Sequence, residues 1–413
     1  MSSKTQATAT KEEAKPALVP KLRFPEFRGA EGWHPYVLEE LEDLGWVELG
    51  RGEVISGQDI KAIPGDYPIY SSSVKNNGLM GRYGRFMFDE ELISWSVDGG
   101  GDFFHRPPHK FSVTNVSGYM RLNTSHLNYR FLANHLQALH ASLTFDYQFK
   151  AHPSVIRKLY RLAIPAPAEQ QKIAECLSSV DELMAAQARK VDALKTHKKG
   201  LMQQLFPCEG ETHPRLRFPE FQNAGEWEVQ RLDELARYEN GKAHENDISE
   251  NGRYIVVNSK FISTEGEVRK FSNEGFCVAD EGDVLMVLSD VPNGRAIAKC
   301  YFVESDDLYT VNQRICRIQP TKVNGRFLFY VLDRNSYFLD FDDGIKQTNL
   351  RKEDVVGFPL CVPPQPDEQQ RIADCLTSLD DLIAAQTQKH EALKTHKKGL
   401  MQQLFPSPEE IEA

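Results

Sequence analysis

The residues of this 413-residue chain best suited to chemistry are its seven cysteines and twelve histidines, and their spacing points away from a catalytic or metal centre. No Cys-x-x-Cys pair is present, no paired histidines lie near the cysteines, and no acidic cluster suits a hard cation. Cys176 and Cys375 occupy equivalent places on apolar helix faces, which reads as buried free thiols in a reducing compartment. A phosphate-cradling Gly-x-x-x-x-Gly-Lys-Ser/Thr loop is missing. Gly99-Gly100-Gly101 is a tight-turn signal rather than a phosphate loop. The Asn/Asp-Pro-Pro-aromatic motif of an amino-methylating enzyme is also missing, and Ser, His and Asp are scattered. The chain reads as non-catalytic. What remains is hydrogen-bonding chemistry, carried by polar loops, and the question becomes what holds those loops in place.

The frame is a duplication. Ala193–Pro207 (Ala-Leu-Lys-Thr-His-Lys-Lys-Gly-Leu-Met-Gln-Gln-Leu-Phe-Pro) returns unchanged as Ala392–Pro406. Lys21–Phe27, ending Arg-Phe-Pro-Glu-Phe, returns as Arg215–Phe221, with Trp33 and Trp227 at the same offset. The order is short motif, variable module, long helix, twice over. The intervening modules differ, the second being longer by about five residues, and both look mixed α/β. Tyr67–Tyr70, Leu92–Trp95, Tyr254–Val257 and Val284–Leu288 read as short strands; Tyr129–Leu143 and Phe327–Leu339 have helical spacing.

Each long helix is expected to follow a proline cluster, with an acid in its first turn. Apolar residues then alternate by four and three: Ile173, Leu177, Val180, Met184, Val191, Leu194, Leu201, Leu205, and Ile372, Leu376, Leu379, Ile383, Leu393, Leu400, Leu404. This is a heptad seam, interrupted in both copies by glutamine (Gln187, Gln386) and lysine (Lys198, Lys397). From Ile173 to Leu205 such a helix spans roughly 50 Å. The fold class is therefore α+β: two α/β modules separated by a long antiparallel two-helix coiled coil, with an internal pseudo-two-fold repeat. The expected boundaries are a disordered tail at 1–20, a first module at 21–165, a helix at 166–207, a second module at 208–362, a helix at 363–406 and a tail at 407–413. No apolar run is long enough to span a membrane, and the tail lacks the apolar core of a signal peptide. A net charge of −10 argues against wrapping nucleic acid with the whole surface, though the first module is slightly basic.

The two Arg-Phe-Pro-Glu-Phe motifs, the two Pro-x-Glu-Gln-Gln helix starts and the two Lys-Lys-Gly-Leu-Met-Gln-Gln-Leu-Phe-Pro ends resemble the specificity subunits of type I restriction–modification systems. Tyr67-Pro68-Ile69-Tyr70-Ser71-Ser72 and Gly282-Asp283-Val284-Leu285 are similar too, so the likeness covers the chain beyond its first 20 residues. The resemblance implies that each module is a target recognition domain reading one half of a split double-stranded DNA sequence, with the helices as spacer. It implies two methyltransferase subunits that methylate adenine with S-adenosylmethionine, and two motor–nuclease subunits using ATP and Mg²⁺. Those cofactors belong to the partners, and this chain is expected to hold none. A bacterial or archaeal cytoplasm is implied. The strict helix ends then read as a surface for two identical partners. The competing expectation is a coiled-coil adaptor whose modules bind proteins.

On that resemblance, the candidate DNA-contacting residues are those whose types read base edges or phosphates. In the first module these are Ser72, Lys75, Asn76 and Arg82 around a polar loop, His105 and Arg106 after the glycine turn, and Gln148 with Lys150. In the second they are Asn258, Ser259 and Lys260 after a strand, Asn293 and Arg295 flanking Gly294, Gln313 with Arg314, and Lys346, Gln347 and Asn349. Structural hydrogen bonding is the rival role for Asn258 and Gln313. Lysines 195, 198, 199, 394, 397 and 398 suit a solvated or docking face better than a phosphate contact.

Overall fold

A computed structural model describes residues 18–73, 75–97, 101–141, 151–291, 294, 296–342 and 345–412. Most of the expected N-terminal tail, and part of the glycine turn, lie outside the described residues. The chain forms two compact units: Met1–Ala188 with Gln388–Ala413, and Arg189–Thr387.

Unit 1 runs β1 (His34–Val37), α1 (Leu38–Asp43), β2 (Val47–Arg51), α2 (Gly57–Ala62), β3 (Tyr67–Tyr70) and β4 (Leu79–Tyr83). It continues through β5 (Phe88–Ser96), β6 (Phe103–Val113), β7 (Ser117–Leu122), α3 (Tyr129–His140), α4 (Pro153–Leu159) and β8 (Arg161–Ile164). The 39-residue helix α5 (Pro167–Leu205) begins in unit 1 and ends in unit 2. Unit 2 holds β9 (Glu228–Arg231), α6 (Leu232–Leu235), β10 (Ala236–Asn240), β11 (Tyr254–Val257), α7 (Ser259–Ser263), β12 (Phe271–Ser272) and β13 (Val278–Ala279). Then come β14 (Val284–Val287), β15 (Ser289–Asp290), β16 (Cys300–Phe302), β17 (Tyr309–Val311) and β18 (Ile315–Pro320). Helices α8 (Gly325–Leu332) and α9 (Ser336–Leu339), β19 (Thr348–Asn349), α10 (Lys352–Val356) and β20 (Pro359–Val362) complete it. The 39-residue α11 (Pro366–Leu404) begins in unit 2 and ends in unit 1, followed by α12 (Pro408–Glu412).

The two modules share one topology. Unit 1 has a six-stranded sheet, β2-β7-β5-β6-β3-β4, antiparallel except for β3 with β6. Unit 2 has two four-stranded sheets, β10-β18-β14-β16 and β12-β11-β17-β13, with β11 and β17 parallel. These are the same ladders with the long strands cut. β6 pairs with β5 from Phe103 to Phe111 and with β3 at Ser112 and Val113, its last two residues, while unit 2 divides these pairings between β16 with β14 and β17 with β11. Likewise β5 corresponds to β13 plus β14. Unit 1 eases the bend with a register shift between Glu90 and Leu92. Unit 2 breaks the strand at Gly282, whose φ of +89° suits only glycine.

Sequence periodicity located the helices but not all their ends. Proline opens both long helices at N1, so each has 39 residues and spans about 58 Å. The expected helix over Phe327–Leu339 is two helices, because Arg334 takes a left-handed φ of 55° and Asn335 caps α9. Asp333 is held there by accepting the Cys300 amide at 2.8 Å. In unit 1, α3 ends at His140 and Leu143 lies outside the described residues. The segment read as a C-terminal tail contains α12, whose Ile411 joins the core of unit 1. All seven cysteines are free, and Cys176 and Cys375 are half-buried rather than buried.

The repeated motifs have identical internal duties in the two units. Arg23 clamps the buried Glu169 with two bonds of 2.8 Å, and Arg217 clamps the buried Glu368 with two of 2.7 Å. The following glutamines hold the next helix start: Gln170 and Gln369 accept the amides of Asn128 and Asn324 at 2.9 Å. Gln171 and Gln370 accept the side chains of the same asparagines, which cap α3 and α8. The helix ends are equally constrained. Leu404 and Phe405 are 1% and 3% exposed in the core of unit 1, where Phe405 meets Trp33, Phe131 and His135. In unit 2, Leu205 is 1% exposed and Phe206 packs on Trp227 and Phe327. The Leu-Phe end expected to be a partner surface is core. Along both helices the four-and-three positions are the protected ones. Unit 1 pairs Lys397 with Asp181, and unit 2 pairs Lys198 with Asp380, each at 2.7 Å.

Two outcomes follow. Glu169→Ala or Glu368→Ala leaves the arginine only its carbonyl partners, Ala30 and Glu31 or Ala224 and Gly225, and should destabilise its own unit by about 2 kcal/mol, read from denaturant midpoints or unit-resolved hydrogen exchange. His135, fully buried, stacks 4.8 Å from Phe405 with no hydrogen-bond partner on either nitrogen, and burial pushes its pKa down to about 3. The unfolded chain takes up this proton near pH 6.5 and the folded one near 3. Stability is therefore full above 6.5 and declines as pH falls between those values, by ~2 kcal/mol at pH 5. A His135→Leu variant should lose that share of the acid sensitivity in melts between pH 5 and 7.

Candidate nucleic-acid interface

In unit 1 the candidates gather on the segment after β3. The chain leaves Tyr70 and folds over Ser71–Gly78, closed by the Ser71 amide donating to the Gly78 carbonyl at 2.9 Å. Ser96 Oγ donates to the Ser72 carbonyl at 2.8 Å. Asn76, Asn77 and Gly78 are all left-handed, with φ of 50°, 55° and 80°. Asparagine tolerates that region better than most residues, and glycine tolerates it freely. Lys75 and Asn76 are exposed at this turn. Arg82 is exposed on β4 opposite Pro68, its guanidinium donating to the Asp66 carbonyl at 2.7 Å.

Arg106 lies behind this loop, not on its surface. It is 2% exposed, with Nε donating to Ser94 Oγ and Nη1 to the Asn77 carbonyl, both at 2.8 Å. Its guanidinium stands 3.7 Å over the Tyr70 ring and 4.8 Å over Phe104. Burial pushes its pKa down to about 10, so it remains a cation at neutral pH. His105 is turned to Glu91 at 2.6 Å; desolvation lowers its pKa and the carboxylate opposes that shift. His105 and His109 stand four residues apart, a spacing that brings imidazoles together on a helix. Here they lie on β6, with His109 engaged by the Tyr70 hydroxyl at 3.2 Å. Among the described residues no His, Cys, Asp or Glu group is placed to hold a metal ion. Gln148, Lys150, Asn293 and Arg295 lie outside the described residues.

In unit 2 the candidates collect where β11, β14 and β17 end. Asn258 caps α7, accepting the Phe261 amide at 2.9 Å, which is the structural duty weighed against DNA contact. Ser259 is half-buried and Lys260 exposed on that helix. The Asn312 amide donates to the Val257 carbonyl at 3.0 Å, drawing Gln313 and Arg314 beside them. Leu288 ties the third strand in, donating to the Arg314 carbonyl at 2.9 Å and accepting from the Leu350 amide at 2.8 Å. Asn349 thus lies alongside, paired with Ser289, and Gln347 donates to Ser289 Oγ at 2.7 Å. Gln313 is exposed, not buried, and donates to Glu245 at 2.8 Å. Lys346 is exposed. Such an array of amides and cations can hydrogen-bond base edges and phosphates.

Sequence reasoning did not foresee that Arg106 would support a loop. The signal was present at the end of β5, where Ser94 and Ser96 interrupt the buried apolar run Leu92–Val97 and so announce a buried polar partner. No helix among the described residues is long and apolar enough to cross a membrane.

A family model described as the type I restriction modification DNA specificity domain matches twice, over residues 31–196 and 224–395. The chain is similar to the type I restriction enzyme MjaVIII specificity subunit of Methanocaldococcus jannaschii, at 23% identity over 368 residues, covering 83% of this chain and 86% of that protein. It is also similar to the type I restriction enzyme MpnII specificity subunit of Mycoplasma pneumoniae, at 28% identity over 153 residues, 36% of this chain and 45% of that protein. The crystal structure of a type I restriction–modification system S subunit from M. genitalium matches with a TM-score of 0.60 at 16% identity. That match covers 94% of this chain and 100% of that one, and is a likeness of fold.

Proposed function

Because the chain belongs to the type I restriction–modification DNA specificity family, we propose that its two modules each read one half of a split, asymmetric DNA target. Supporting this reading is one observation above others. The modules share a topology, but the segment after the equivalent strands β3 and β11 differs completely between them, as a polar loop in one and a capped helix in the other. Equivalent placement with unlike side chains suits two half-sites of unlike sequence, and needs no palindrome or symmetric dimer.

The 39-residue helices serve as the spacer. Their length of about 58 Å corresponds to roughly 17 base pairs at 3.4 Å per pair, which leaves room for an unread gap between the halves. Their outer faces dock two adenine methyltransferase subunits, and two motor–nuclease subunits complete the restriction assembly. S-adenosylmethionine, ATP and Mg²⁺ act in those partners, and the chain itself contributes recognition without catalysis. Lys75, Asn76, Arg82, Lys260, Gln313, Arg314, Lys346, Gln347 and Asn349 are exposed and supply base and phosphate contacts. The basic surface that an acidic chain lacks comes from the subunits enclosing the DNA.

The decisive experiment is selection from a pool of random duplexes by the chain with its methyltransferase partners. A split motif with a fixed gap should be enriched; absence of any split motif would sink the proposal. Inserting about one helical turn at matching places in α5 and α11 should lengthen the gap and leave both half-sequences as they were. Exchanging residues 45–164 for a homologous module should alter one half only.

A further inference from the structure

The cost of a buried cation without a carboxylate partner makes Arg106 the least expected residue of unit 1. The second module shows that its fold does not require one. Gly52 and Gly241 mark the same place in the two modules, since a Cβ at either would collide with the carbonyls of Val113 or Asn312. Counting along the ladders from there, Ile93 opposite Met120 corresponds to Val284 opposite Ile318. Ser94 then corresponds to Leu285. Arg106, opposite Leu92, corresponds to Val303, whose amide donates to the Asp283 carbonyl at 3.0 Å. Leu285 and Val303 are both fully buried in an apolar core. One module fills this space with a leucine and a valine. The other fills it with a serine and an arginine that hydrogen-bond each other.

The difference follows the segment each strand must support. Tyr70 and Val257 are equivalent, since their carbonyls accept the Thr114 and Asn312 amides at 2.9 and 3.0 Å. After Val257 the chain enters α7, whose first turn is secured by its own cap, Asn258. After Tyr70 it enters a loop with three successive left-handed residues and no helix to hold them. There Arg106 Nη1 fixes the Asn77 carbonyl, and Nη2 lies 3.1 Å from where a Gly78 Cβ would stand. The guanidinium plane is itself fixed against Tyr70, the residue that begins the loop.

We propose that Arg106 is the positioning residue of the first recognition loop: without touching DNA, it sets the left-handed turn that presents Lys75 and Asn76, and so determines the half-sequence that unit 1 reads. The proposal rests on the DNA-reading function above. Lysine cannot replace it, because only a guanidinium presents a rigid fork to two acceptors while stacking on an aromatic face.

The test uses the chain assembled with its methyltransferase partners and duplexes randomised at both half-sites. Ser94→Leu/Arg106→Val installs the apolar pair of the second module and keeps the core filled; Arg106→Lys keeps the charge. Both should lower selectivity at the first half-site about tenfold or more, comparable to losing one bidentate base contact. Selectivity at the second half-site and the thermal midpoint of the double variant should be unchanged. First-half selectivity equal to that of the unaltered complex in both variants overturns the proposal. Equal loss at both half-sites overturns it too, since that marks general unfolding. If the unaltered complex enriches no split motif, the DNA-reading function itself fails, and the role of Arg106 with it.

Discussion

Each long helix has to finish inside the core of the unit in which the other long helix begins. That constraint governs the rest of the structure. Phe405 arrives on Trp33, Phe131 and His135 at ring separations of 6.4, 5.6 and 4.8 Å. Phe206 arrives on Trp227 and Phe327 at 6.5 and 5.5 Å. Burial of each leucine and aromatic ring contributes roughly 2 kcal/mol, and the ring contacts, edge-on to Trp33 and Trp227 and stacked on His135, add to that. The chain before each Arg-Phe-Pro-Glu-Phe motif locks onto the arriving helix, Leu22 and Leu216 donating to the Gln403 and Gln204 carbonyls at 2.9 Å. The same arginine motif then clamps the departing helix through Glu169 or Glu368. Within a unit, one short segment therefore ties the end of one long helix to the start of the other.

This arrangement separates what must stay constant from what can vary. Glu-Gln-Gln, Arg-Phe-Pro-Glu-Phe and Leu-Phe-Pro share their main contacts between the two units, the arginine–glutamate clamp and the glutamine–asparagine bonds above all, so a change in any of them leaves a buried donor, acceptor or cavity. The sheets carry no such obligation. They keep their pairing order while long strands become short ones, a bulge becomes a glycine break, and an apolar pair becomes a serine and an arginine. Loops on such a scaffold can change chemistry without disturbing the frame.

What was legible in the sequence was largely what is local or repeated. The four-and-three alternation marks the protected face of α5 and α11 because side-chain burial on a helix follows its 3.6-residue period. Proline at N1 was visible, as was the two-module order. Long-range partnerships were not. Nothing near Phe405 in the chain announces Trp33, and Leu-Phe-Pro reads equally well as an exposed docking edge. The break after α8 escaped because Asp333 is drawn out of helical geometry by the amide of Cys300, thirty-three residues away. Among the candidate residues, those in exposed turns kept their surface positions, whereas Arg106 and Asn258 proved to be supports. Residue type names what a side chain can bond to, and only the fold decides which partner is nearer.

The interleaving of the helices also sets an order of assembly during synthesis. Unit 2, Arg189–Thr387, is one continuous stretch, while unit 1 needs both Met1–Ala188 and Gln388–Ala413. The first module therefore emerges from the ribosome first, and waits with Trp33, Phe131 and His135 uncovered until Leu404 and Phe405 follow. At 5–20 residues per second the roughly 200 intervening residues take about 10–40 s. The second unit closes its core during that interval. The earlier-made module is completed last, which leaves its open aromatic face as the part of the nascent chain most in need of protection from aggregation.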